Sequence, residues 1–278
     1  MDEKYSVLMS VYYKEQPQYL EMAIQSMIDQ TVKPDEFIIV KDGPLTRELD
    51  AVIDDFSNKY RELFTIIANK TNLGLGPALR KGVEISKNEL IARMDSDDYA
   101  VPDRCEKQLK LLRDDPQLGM VGSYEAEFIN GIENVVSIHR VPEGNDSIRK
   151  FMRRRCAVLH PTVIFKKKEV IRAGNYQKKS TFAVYEDYDL FSRMVFDAKV
   201  KCYNIQEPLY YIRTSEDFFE RRGGIAYAKT VLRFKWHLFR KGNMSFGDFC
   251  ISGLGQAFVC VLPNNLRKSF YMKFLRGE

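Results

Sequence analysis

The sequence predicts an α/β domain on a mixed central sheet flanked by helices, with a helical C-terminal extension, and three observations predict it. In the first hundred residues short β-branched runs alternate with amphipathic helical patterns, the signature of a parallel sheet covered by helices. Beyond Leu112 two strand-like runs flank Asn130-Gly131, a hairpin signal that makes the second half antiparallel or mixed. From Ser215 the pattern is helical.

The elements follow in order. Ser6–Val11 reads as the first strand, and Pro17 suits the first turn of a helix whose Leu20, Ile24, Met27 and Ile28 share one face. Phe37–Val40 is the second strand, ending at Asp42-Gly43. Thr46 is placed to cap a helix striped by Leu49, Val52, Ile53, Phe56 and Tyr60, and Phe64–Ala68 is the third strand. Gly74 and Gly76 precede a helix begun by Pro77. The fourth strand, Leu90–Met94, runs into Asp95-Ser96-Asp97-Asp98. A helix from Pro102 to Leu112 leads to the hairpin Met120–Ile129 and Ile132–Ile138. Strands at Val158–Phe165 and Lys199–Ile205 bracket a helix from Asp187 to Phe196.

At 278 residues, 45% apolar and 29% charged, the chain can bury a full core. The net charge of +5 is not spread evenly: Thr214 to Glu278 holds eleven Lys/Arg against five Asp/Glu, leaving the rest near neutral. That distribution speaks against a nucleic-acid groove and for a local anionic partner such as a membrane surface. Five cysteines without CxxC spacing fit a reduced, cytoplasmic setting. Met1–Lys4 passes directly into a strand pattern, so no secretory signal is expected. The apolar patch Phe249–Leu262 is shorter than the roughly 20 residues a membrane span needs, and suits an interfacial helix or a helix packed on the domain.

Ligands in open α/β sheets bind beyond the carboxyl ends of the strands, where Asp42 and the Asp95–Asp98 run both sit. Three carboxylates in one tetrapeptide repel unless a cation lies among them, and few hard oxygen ligands suit Mg²⁺ or Mn²⁺; the alternative is a polar turn before the next helix. Asp42-Gly43 is a turn whose carboxylate can accept from the imide N–H of a uracil ring. Asn72-Leu73-Gly74-Leu75-Gly76 lacks the third glycine of a dinucleotide fingerprint, which speaks against a dehydrogenase but leaves room for backbone beside a nucleotide. Glu186-Asp187-Tyr188-Asp189-Leu190 opens a helix. It offers a carboxylate general base, with Asp189 read as an N-cap. Of the three histidines only His160 stands out, with a hydrogen-bonded structural role as its alternative.

Taken together, Val7–Tyr12, Val40-Lys41-Asp42-Gly43-Pro44, Asn72-Leu73-Gly74, Asp95–Asp98 and Glu186–Leu190 resemble, in order and spacing, the family 2 glycosyltransferases of the GT-A fold, over roughly Tyr5 to Arg213. Leu159–Phe165 and the tail Leu262–Arg267 are similar to bacterial enzymes building exopolysaccharide, capsule or O-antigen. The resemblance implies an inverting, metal-dependent transfer of a sugar from a nucleotide-diphosphate donor, a UDP-hexose, to a glycan or lipid-pyrophosphate-linked acceptor on the cytoplasmic face of a membrane. It implies that Ser10 and Asp42 hold the uridine, Asp95 the ribose side and Asp97 the Mn²⁺ or Mg²⁺ bridging the phosphates. Asn72 and Gly74 would lie beside the nucleotide, Asp187 would be the base, and Glu186 and His160 would contact donor or acceptor. Lys41 and Pro44 depart from the commoner Asp and Ser. Residues 1–214 would form the catalytic domain, with a nucleotide half to about 100 and an acceptor half from 101, and 215–278 a helical extension. The rivals are a sugar-nucleotide pyrophosphorylase and a non-catalytic nucleotide-sugar-binding module.

Overall fold

Strands buried on both faces must be apolar at consecutive rather than alternate positions, and Val7, Leu8 and Met9 illustrate this in β1 (Tyr5–Val11). In the computed structural model, which describes residues 4–179, 182, 184–214, 223–263 and 266, β1 lies between β2 (Glu36–Lys41) and β4 (Leu90–Met94), parallel to both. The parallel set ends with β3 (Phe64–Ala68) beside β2. Leu8, Ile38, Val40 and Ile91 face one core; Val7, Met9, Phe37 and Ile39 face the other.

Helices α1 (Pro17–Ile28) and α2 (Arg47–Lys59) cover the second core, and Thr46 Oγ1 caps α2 by accepting from the Leu49 N–H at 3.3 Å. The first core is covered by α3 (Leu75–Ile85), which lies so close to β1 that a Cβ on Gly82 would come 2.1 Å from Leu8 Cδ1. The helix starts two residues before Pro77 because Gly74, at φ 91°, turns the chain into it.

The second half adds β5 (Tyr99–Ala100), α4 (Arg104–Asp114), β6 (Leu118–Phe128), β7 (Val135–His139), α5 (Asn145–Met152), β8 (Ile164–Lys166), α6 (Lys167–Arg172), α7 (Glu186–Ser192) and β9 (Lys201–Arg213). The sheet runs β3-β2-β1-β4-β8-β6-β9-β5, with β7 on β6. Pairing turns antiparallel at β8, so the sheet is mixed as expected.

Three expectations need correction. Most of Val158–Phe165 is not strand: Pro161, with no N–H to give a ladder, sits in a 3₁₀ turn, His160–Thr162, and only Ile164–Lys166 pairs. The last strand does not stop at Ile205. Register shifts around Tyr124, which faces Pro208, absorb the proline and let β9 continue to Arg213. The helix read as Asp187–Phe196 is α7 followed by a π-turn, Arg193–Asp197.

In the C-terminal segment α8 (Ile225–Arg240) is followed by α9 (Phe246–Asp248), which runs through a π-turn, Phe249–Leu254, into α10 (Gly255–Val261). Ser245 and Asp248 form a capping box that starts this run. Val231, Phe234, Leu238, Ala257 and Cys260 share the core that contains Leu8 and Ile91. Arg221, Arg222, Arg267, Lys268, Lys273 and Arg276 of the basic tail, and Asn264 and Asn265 of the tail motif, lie outside the described residues. Among the described residues no helix is long and apolar enough to cross a membrane.

Candidate functional site

The carboxyl ends of β1, β2 and β4 open onto one edge of the sheet, and the acidic run follows β4 there. Arg93 breaks the apolar pattern of β4, and its side chain is 1% exposed. Its guanidinium is paired with Asp95. The Asp95 N–H donates to Tyr210 Oη at 3.1 Å, and that hydroxyl donates to Asp98 Oδ2 at 2.9 Å. The Arg213 N–H donates to Asp98 Oδ1 at 2.7 Å while its Nε donates to the Asp97 carbonyl at 3.1 Å. The guanidinium of Arg213 rests 3.8 Å from the Tyr19 ring centroid and 4.6 Å from that of Phe128. Asp98 is therefore an internal anchor to β9, and Arg93 and Arg213 supply part of the positive charge that the sequence reading assigned to a metal alone.

Asp97 is left facing the edge. Burial, and then the charges of Asp95 and Glu15, push its carboxyl up to about 7, with Arg93 opposing. Glu15 belongs to the group because the Ser96 hydroxyl donates to its Oε2 at 2.5 Å. A carboxyl among carboxylates takes up either a proton or a cation. Asp95 and Asp97 fit a Mg²⁺ or Mn²⁺ ion, which takes one or two carboxylates and completes its shell with water and phosphate. Among the described residues no three His, Cys, Asp or Glu side chains form a metal cage.

At the end of β2, Asp42 is buried. Its Oδ1 accepts from Asn69 Nδ2 at 2.8 Å and from the Leu73 N–H at 2.9 Å, and its Oδ2 from the Gly74 N–H at 2.8 Å. Asn72 Oδ1 accepts from the same Gly74 N–H at 3.2 Å. The carboxylate expected to meet a base thus shapes the Asn69–Gly74 loop. Gly43, at φ 91°, permits the contact: a Cβ there would come 2.8 Å from the Asn72 nitrogen. Lys41 turns away to Asp50 at 2.8 Å, which removes it from the edge. Ser10 pairs in register with Val40 near the end of β1, and an open cleft of about 520 Å³ lined by Tyr13–Pro17, Thr46 and Glu48 adjoins this end.

The third component is α7. A Cβ on Gly76 would come 3.2 Å from Glu186 Cγ, so the glycine loop and the acidic helix are neighbours. Burial pushes the Asp187 carboxyl up to about 6; Glu186 adds to this, while the Tyr188 N–H and Arg93 oppose it. Arg93 pairs with Asp95 and also acts electrostatically on Asp97, His160 and Asp187, so all four lie within reach of one guanidinium's charge. Asp189 is not an N-cap: Tyr185 holds that position, and Asp189 turns inward to Arg193 Nη2 at 2.9 Å and Gln177 Nε2 at 3.2 Å. A buried carboxylate finds a better partner in a guanidinium than in a helix end. His160 is buried, with Nε2 2.7 Å from Tyr176 Oη, and burial holds its pKa well below the usual histidine value, so it is a neutral packing group.

Sequence reasoning missed Glu15, Arg93, Tyr210 and Arg213. Arg93 had a legible signal, a lone cation in a five-residue apolar strand. Tyr210 and Arg213 had none, because their partners lie 112 and 115 residues away.

The family profile of glycosyl transferase family 2 matches residues 6–174. A UDP-Gal:alpha-D-GlcNAc-diphosphoundecaprenol beta-1,3-galactosyltransferase of Escherichia coli is 36% identical over 273 residues, covering 98% of this chain and 97% of its own. The amylovoran biosynthesis glycosyltransferase AmsE of Erwinia amylovora is 35% identical over 230 residues, 82% of this chain and 83% of its own. Among solved structures, the mannosyltransferase PcManGT of Pyrobaculum calidifontis, in complex with GDP-Man and Mn²⁺, superposes with a TM-score of 0.60 at 14% identity, covering 97% of this chain and 73% of that one. S. aureus TarS 1-349 in complex with UDP gives 0.57 at 17% identity over 82% of this chain and 65% of that one. The shared architecture is the GT-A fold. With the family profile matching more than half of its residues and full-length relatives above 30% identity, the chain belongs to glycosyl transferase family 2.

Proposed function

We propose that this glycosyltransferase moves a hexose from a UDP donor to a hydroxyl of a lipid-pyrophosphate-linked glycan at a membrane surface, with inversion at the anomeric carbon. One observation supports the reading: Asp95 pairs with Arg93, whose charge also reaches Asp97 and Asp187, and the Asp42-shaped glycine loop leads into Gly76, which lies against Glu186 next to Asp187. The printed name of the Escherichia coli relative, with its UDP-Gal donor and diphosphoundecaprenol-linked acceptor, supports the substrate classes.

In this reading residues to about 100 hold the nucleotide, those from 101 to 214 the acceptor, and the helical segment from 215 follows them. Ser10, Asn72 and Gly74 line the nucleotide side, with Asp42 fixing the loop and accepting from the base, and Asp95 on the ribose side. Asp95 and Asp97 would hold Mn²⁺ or Mg²⁺, which when bound supplies positive charge to the departing diphosphate. The acceptor oxygen attacks the anomeric carbon from the face opposite the nucleotide. As the new C–O bond forms, the bond to the phosphate oxygen breaks and its electron pair leaves with UDP. The acceptor proton passes to Asp187. A carboxyl with a pKa of about 6 is ionised at neutral pH yet basic enough to share that proton in the transition state. Glu186, beside Gly76, would face the donor sugar. His160 contributes by packing under this region.

The test is UDP release from a panel of UDP-hexoses with Mn²⁺ or Mg²⁺, with and without a lipid-pyrophosphate-linked monosaccharide, and with a chelator control. Acceptor-dependent release that the chelator abolishes is expected. Release that is independent of acceptor, or untouched by chelation, would contradict the reading.

A further inference from the structure

The C-terminal helices present two different outer faces side by side. On the run through α10, Ile251, Leu254, Phe258 and Val261 recur at helical spacing and are 60, 50, 64 and 50% exposed. On α8, Lys229, Arg233, Trp236 and Arg240 recur at the same spacing, all exposed. The two helices pack against each other, and Trp236 touches Phe249 with ring centroids 5.4 Å apart. The result is an apolar stripe on one helical run and a cationic one on the helix packed against it, with a half-exposed tryptophan at their contact.

Charge decides what fits this surface. Among the described residues from 223 to 263 the acids are represented only by Asp248, which is buried and paired with Arg154 at 2.5 Å. Lys241 is partly offset by Asp197 at 3.2 Å, while Lys229, Arg233 and Arg240 line the exposed face. A second copy of the chain meeting the same face would bring cation against cation. A polar partner protein would leave the apolar stripe uncompensated. An anionic bilayer matches both stripes at once, taking Phe258 and Leu254 into the acyl boundary while the long basic side chains reach back to the headgroups.

The inner side of the same layer meets the proposed catalytic helix. The Phe234 ring stacks on Tyr185 at 4.6 Å and meets Tyr188 edge-on at 5.0 Å, and the buried Lys235 Nζ donates to the Arg154 carbonyl at 2.6 Å. The layer whose outside would lie on lipid is the one on which α7 rests.

We infer that the α8–α10 layer is a docking face for an anionic membrane surface, seated in the interface plane by Ile251, Leu254, Phe258 and Val261 and held by Lys229, Arg233 and Arg240. The inference deepens the reading of a lipid-linked acceptor and rests on it for its purpose, while the binding itself is measured independently of transfer.

The experiment is flotation of the full chain with vesicles of phosphatidylcholine alone or with phosphatidylglycerol, at low and high salt. The chain is expected to float with anionic vesicles, far less with neutral ones, and less as salt rises. Leu254→Ser with Phe258→Ser should cut partitioning by about tenfold or more, and Arg233→Gln with Arg240→Gln should remove the preference for anionic lipid. Thermal melts check that these exposed changes leave the fold intact, and turnover on a short-chain, water-soluble acceptor should stay at the wild-type level. Equal recovery in the soluble fraction with and without vesicles overturns the inference. So does concentration-dependent dimerisation lost in the Leu254/Phe258 variant. Vesicle binding without sugar transfer would instead remove the proposed reaction and leave the surface standing.

Discussion

The acidic loop after β4 and the first turn of α7 each carry a half-buried carboxyl with a raised pKa, and their surroundings differ in a way that separates two chemistries. Burial is the main cause in both. Around Asp97 the next contributions are the carboxylates of Asp95 and Glu15, and crowded negative charge is relieved by a cation. Around Asp187 the Tyr188 N–H comes next and lowers the value, and the Glu186 charge raises it by less than burial does, so a proton suffices. Two carboxyls pushed up by different company are suited to different work, one to holding a diphosphate through a metal and one to taking a proton.

Substitutions can break this comparison. Asp187→Asn removes the proposed base and should lower kcat by about 10²–10⁴-fold with little change in donor KM, read by steady-state assays. Asp97→Asn should also cost two or more decades (about 10²-fold), but with a raised metal requirement that Asp187→Asn does not show. It should also raise Tm at pH 8. The sign follows from the raised pKa: a carboxyl driven up on folding destabilises the fold once pH exceeds its unfolded value, fully so above about 7, and an amide carries no such penalty.

Smaller effects sharpen it. Gly43→Ala forces a Cβ against the Asn72 backbone at positive φ and should raise donor KM several-fold while slowing kcat less, since the Asp42 loop moves and α7 does not. Tyr210→Phe leaves Asp98 short of a donor and should cost about 1–3 kcal/mol in urea unfolding. The smallest change is expected for Lys235→Met. It exchanges a buried lysine, whose pKa burial lowers to about 7, for an apolar chain of similar length, and should leave Tm within a few degrees.

How much of this was legible beforehand depends on the range of the interactions. The parallel strands β1–β4 announce themselves through consecutive apolar residues, and Thr46 caps α2 through a contact three residues away. Asp95, Asp97 and Asp187 stand in short motifs, so their residue types could be read locally. What failed were features set by distant partners. The strand read as ending at Ile205 runs on to Arg213 once Tyr124 is seen facing Pro208 across a bulge. Asp98 reads as one more charge in an acidic run until Tyr210 and the Arg213 N–H are found filling its oxygens. Asp189 reads as a cap until Arg193 closes on it. In each case tertiary pairing outweighed a local preference, and a lone sequence records only the latter.

The central claim, that Asp187 takes the acceptor proton, is tested most directly by the pH dependence of kcat for acceptor-dependent UDP release, with wild type and Asp187→Asn measured side by side. At saturating Mn²⁺ or Mg²⁺, which would hold Asp97 ionised, the account predicts a wild-type rate that falls tenfold per pH unit below about 6, where the Asp187 carboxyl becomes protonated, and a slow variant whose profile is flat across that range. A variant that turns over near the wild-type rate, or one that keeps the same acid limb, would contradict it.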